Sequence, residues 1–175
     1  MKLIRVFLVL FLMNISMSNA HSIDEIRKTF QLAIENSTIA EKLSSDLKKI
    51  NKPDALTQAY IASLEALKAK HAWSPISKHQ YMKSFEQIIN DAIKRSPENM
   101  EIRYLRYNVQ YRVPSYLGYS KNLVEDRKFI VDSFLKKNFA TNNKYLINEV
   151  YSFMVTSKSV SPEEKLKMEK VLRSL

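Results

Sequence analysis

From Ile23 onward the apolar residues recur at helical spacing, and no stretch alternates with period two for long enough to form a strand. Ile23, Ile26, Phe30 and Ile34 make one amphipathic stripe, with Ser22 placed to cap it and Glu25 three residues later as in a capping box. Ile39, Leu43, Leu47 and Ile50 make a second. A third helix sets Ala55, Ala59, Ala62, Ala66 and Ala69 beside Leu56, Tyr60, Leu64 and Leu67. Small residues let neighbouring backbones approach, so this helix is expected at the centre, covered on both sides. A fourth runs over 75–95 and buries Met82, Phe85, Ile89, Ala92 and Ile93. Pro53 and Pro97 are expected in the first turns of the third and fifth helices. Further helices are expected over 123–137, over 143–156 and after Ser161-Pro162. The fold class is therefore all-α: about eight helices in four antiparallel hairpins. These either stack as a right-handed, repeat-like (TPR-like) array or close into a compact bundle.

The first twenty residues read differently. Lys2 and Arg5 precede an apolar run from Val6 to Met13, and Ser18 and Ala20 stand where a signal peptidase selects small residues. The expectation is a signal peptide over 1–20 and a single helical domain over 21–175. The apolar run is too short to span a bilayer, so no transmembrane anchor is expected after cleavage. The destination is then the periplasm or the extracellular space. Without Lys2 and Arg5 the domain carries a net charge of about +8, which favours anionic partners. Export argues against nucleic acid among them. The chain has no cysteine, so its core must hold without disulfides. Its only glycine, Gly118, excludes glycine-rich phosphate loops.

Two resemblances add to this. In "DAIKRSPENMEIRYLR", Ala92 and Pro97 stand five apart at a helix junction, similar to the end of a tetratricopeptide repeat. The segments "LEALKAKHAWSPISK", "EIRYLRYNVQYRVPSYLGYSK" and "EDRKFI" resemble a family of uncharacterised exported helical proteins of Bacteroidetes-type bacteria. That resemblance implies an exported helical domain and no particular activity.

Two segments concentrate the chemistry. In "EIRYLRYNVQYR", Arg103, Arg106, Tyr107 and Gln110 share a helical face, flanked by Tyr104, Asn108 and Tyr111. Arginine forks suit carboxylate or phosphate, and tyrosine supplies rigid contact area. This face either lines a binding groove, continued by the loop "VPSYLGYS", or is consumed by internal ion pairs and helix packing. In "KAKHAWSPISKH", His71, Trp73 and His79 crowd a helix corner. Trp73 is expected to seal the apolar seam there, or with His71 to form one wall of the groove. The histidines flank Pro75 and share no helical face, so no metal is expected, and no cofactor. The functional expectation is an exported, non-enzymatic binding module of the bacterial envelope. Its partner would be another envelope protein or an anionic ligand, held as an extended segment. The alternative is a hydrolase using Glu101 or His71.

Overall fold

A computed structural model describes residues 22–139 and 141–175; the expected leader lies outside the described residues. The described residues form eight α-helices: α1 (Ile23–Ala33), α2 (Ser37–Lys48), α3 (Ala55–His71), α4 (Pro75–Arg95), α5 (Met100–Arg112), α6 (Leu123–Leu135), α7 (Lys144–Thr156) and α8 (Pro162–Arg173). A short 3₁₀ turn, Ser115–Leu117, follows α5. Among the described residues there is no strand.

Helix starts are set by side-chain caps. Asn36, Asp54, Asn99 and Asn143 each accept from a first-turn backbone N–H of α2, α3, α5 and α7. Ser161 and Glu164 form a complete capping box on α8, while Ser22 accepts from Glu25 N on α1. Two starts differ from expectation. Pro53 and Pro97 stand before the caps rather than in the first turn, because Asp54 and Asn99 supply the oxygen that stops fraying. Ends are unusual in a chain so poor in glycine. Lys137, just past α6, adopts a left-handed φ of 54°. Its N–H reaches Phe134 O and that of Asn138 reaches Ser133 O, a Schellman closure built on lysine.

Helices α1 and α2, α3 and α4, α5 and α6, and α7 and α8 pack as consecutive pairs, and α6 also packs on α8. α3 is central and touches α1, α2, α4 and α5. Its alanines Ala59 and Ala62 are wholly buried, as the alanine row implied. Two apolar clusters result. The first joins α1–α4 to Ile102 and Leu105 of α5; the second joins Met100, Tyr104 and Tyr107 of α5 to α6–α8. α5 therefore serves both, one stripe facing each cluster. This order of contacts fits a compact bundle and a stack of hairpins alike. Among the described residues no helix is long and apolar enough to cross a membrane.

Candidate functional site

The position of α5 decides the fate of its polar side chains. Arg106 is buried and faces α6, where Nε and Nη2 donate to both oxygens of Asp126 at 2.6 and 2.7 Å. Its Nη1 donates to Asn90 of α4 at 2.9 Å. Asp126 is fully buried, so the pair is a two-pronged internal bridge. Arg103 reaches Glu125 and Asp126 and lies over the Phe129 ring. Burial works against its charge, but the two carboxylates outweigh this and hold its pKa above the ordinary value. Gln110, also buried, donates to Asn122 Oδ1 and accepts from Asn122 N, fastening the loop ahead of α6.

Glu101 begins the same helix and points the other way. It accepts from Arg27 Nε at 2.8 Å and Nη2 at 2.5 Å, and from the Tyr60 hydroxyl at 2.7 Å. The charge of Glu101 raises the Arg27 pKa, and burial, aided by Glu101, pushes up the Tyr60 phenol. With three donors and 2% exposure, Glu101 ties α1, α3 and α5 together and presents no face to a substrate. The tyrosines behave likewise. Tyr107 is buried and donates to Ser159, and Tyr104 donates to Glu149 of α7. Tyr111 is half-exposed, yet its hydroxyl is held by Ser157 O at 2.7 Å. Of the two readings open for this helix, the geometry matches internal pairing for Arg103, Arg106, Tyr107 and Gln110. Tyr111 and Arg112, at its last turn, keep surface.

The corner between α3 and α4 is the reverse case. Trp73 does not seal the seam: its side chain is 99% exposed, because three loop residues carry the chain over and leave no helix above the ring. His71 is exposed as well. Beside them a cleft of about 580 Å³ opens between α2 and the corner, walled by Ser37, Glu41, Lys68, His71, Trp73 and Tyr81. No α5 residue lines it, so Trp73 and His71 do not share a wall with Arg103 or Arg106. Lys68 is anchored at the edge of this cleft by the buried Glu65, which also binds Lys48. Burial tends to raise the Glu65 carboxyl, but the two ammonium groups prevail and hold it below its ordinary value. His79 lies on the adjoining face of α4, where Nδ1 meets the Tyr119 hydroxyl at 2.8 Å. Burial pushes that phenol up.

Ser37, Lys68 and Tyr81 escaped sequence reasoning. They meet only when α2 packs on the α3–α4 hairpin, and each alone reads as an ordinary helix residue. Among the described residues no three His, Asp or Glu side chains gather as a metal site would require. No protein-family model, no curated protein and no solved structure matches this chain.

Proposed function

We propose that the chain is an exported, non-enzymatic binding module of the bacterial envelope that holds an extended, acidic segment of a partner protein. The site moves from the buried face of α5 to the cleft beside α3 and α4. The observation that carries this is a fully exposed tryptophan standing over an open cleft with Lys68 and His71 on its wall. An aromatic ring without contacts of its own offers apolar area, and the cation selects carboxylate over a neutral segment. The cleft is partly open to solvent, which suits a chain lying across it better than a fully enclosed small molecule. A hydrolase reading has less to stand on, since Glu101 is saturated by Arg27 and Tyr60. Export and the family resemblance rest on the sequence segments that suggested them.

The test uses Trp73, the chain's only tryptophan, as reporter. Titration with an oligoglutamate peptide is expected to change its emission saturably. Lys68→Ala and His71→Ala should each weaken the response while circular dichroism keeps the helical signal. A flat titration, or an unaltered one in both variants, rejects the cleft as an acidic-segment site.

A further inference from the structure

The register of the hairpins places four of the exposed apolar side chains, Trp73, Ile76, Tyr116 and Leu117, at one end of the molecule, while others such as Tyr145 lie elsewhere. Arg106 on α5 pairs with Asn90 on α4, Tyr119 with His79 and Lys121 with Glu86. Loop 113–121 therefore runs along α4 between Glu86 and His79, towards the start of that helix. This brings Tyr116 and Leu117, on the 3₁₀ turn, to the same end as Trp73 and Ile76. All four project: Tyr116 is 84% exposed and Ile76 71%, with Leu117 also open. They sit on two separate chain segments and form protrusions rather than a groove.

The charge of this end has one sign over long stretches. No acidic residue occurs between Glu65 and Glu86, or between Glu101 and Glu125. Lys70, Lys78, Lys83, Arg112 and Lys121 are exposed along these segments. The facing acids are Glu35, which Lys70 binds, Glu86, which is 3.9 Å from Lys121, Glu41 in the cleft, and Glu125 after the loop, which Arg103 binds.

We propose that this end docks on an anionic lipid surface, with Trp73, Ile76, Tyr116 and Leu117 entering the interfacial layer and the lysines facing the headgroups. Tryptophan and tyrosine favour that layer because each has an apolar body and a polar tip. Isolated protrusions suit a deformable phase, which closes around each side chain without a matching pocket. Lysines close to the plane gain from the negative surface potential. These side chains alone carry the proposed attachment, which is therefore peripheral. The docking needs no ligand in the cleft.

The full chain, mixed with vesicles of phosphatidylcholine and phosphatidylglycerol, should show a blue shift of Trp73 emission and quenching by brominated acyl chains. Pure phosphatidylcholine vesicles should give neither. Ile76→Ser combined with Leu117→Ser should weaken vesicle binding about tenfold or more, from the apolar area lost. His71→Ala should leave it unchanged, which separates docking from capture of an acidic segment. Tyr145→Ser, at the opposite end, serves as the surface control. The proposal is overturned if phosphatidylglycerol leaves Trp73 unshifted at low salt. It is equally overturned if the double serine variant binds as the parent does, or if sedimentation shows the patch buried between two copies of the chain.

Discussion

At the scale of single residues, the same chemistry that makes arginine a good ligand-binding group makes it a good internal strut. Arg106 spends three nitrogens on Asp126 and Asn90. Truncation would leave the Asp126 carboxylate buried and without its main partner. Arg106→Ala is expected to cost about 3–5 kcal/mol, read by urea denaturation. Replacing both partners, Arg106→Met with Asp126→Leu, should return stability to within about 1 kcal/mol of the parent, because the orphaned charge goes with its partner. A parent-like Arg106→Ala would reverse this assignment and return the guanidinium to the list of binding groups. Sequence alone could place these arginines on one helical face but could not say what faced them. That depends on which helix packs there, and Asp126 stands twenty residues away. The corner misled in the opposite sense. Tryptophan is a residue that packing usually covers, and nothing local in "KHAWSP" reveals that no helix lies above it.

Elements were more legible than contacts, because their signals are local. The span of α4 follows from its apolar period and Pro75, and the start of α8 from Ser161-Pro162 with acids in the first turn. Where proline and an Asx cap competed, as at Asp54 and Asn99, the cap set the boundary; a side-chain oxygen bonded to a first-turn N–H outweighs a pre-set φ. Helix ends were the hardest to read, since lysine carries no turn signal. Lys137 occupies the left-handed position that glycine usually fills, and a side chain with a Cβ is strained there. Lys137→Gly should relieve that strain. Allowing for the extra freedom glycine brings to the unfolded chain, a gain of about 0.5–1 kcal/mol is expected in denaturation midpoint experiments. A loss would mean that the lysine contributes contacts outweighing its backbone strain.

For the whole molecule, α5 is the consequential element, and its composition explains why. A helix with one apolar stripe rests on a surface; one with residues buried around most of its circumference stands between other helices. Ile102 and Leu105 face the first cluster and Met100, Tyr104 and Tyr107 the second, while Glu101 and Arg106 bolt it to α1, α3, α4 and α6. Neither cluster is complete without it, so neither half should unfold alone. Phe85 lies at the centre of the first cluster and Phe134 in the second, both fully buried. Truncating either to alanine should cost about 3–5 kcal/mol. The structural consequence is that both variants should shift one common transition. Circular dichroism and hydrogen exchange in α3 and α7 would fall together in each case. If Phe134→Ala released the amides of α7 while leaving those of α3 at parental protection, the halves would be separate units. α5 would then belong to only one of them. Coupled loss instead makes the buried arginine and tyrosine face of α5 the connection that holds the exposed corner and its cleft on a single rigid scaffold.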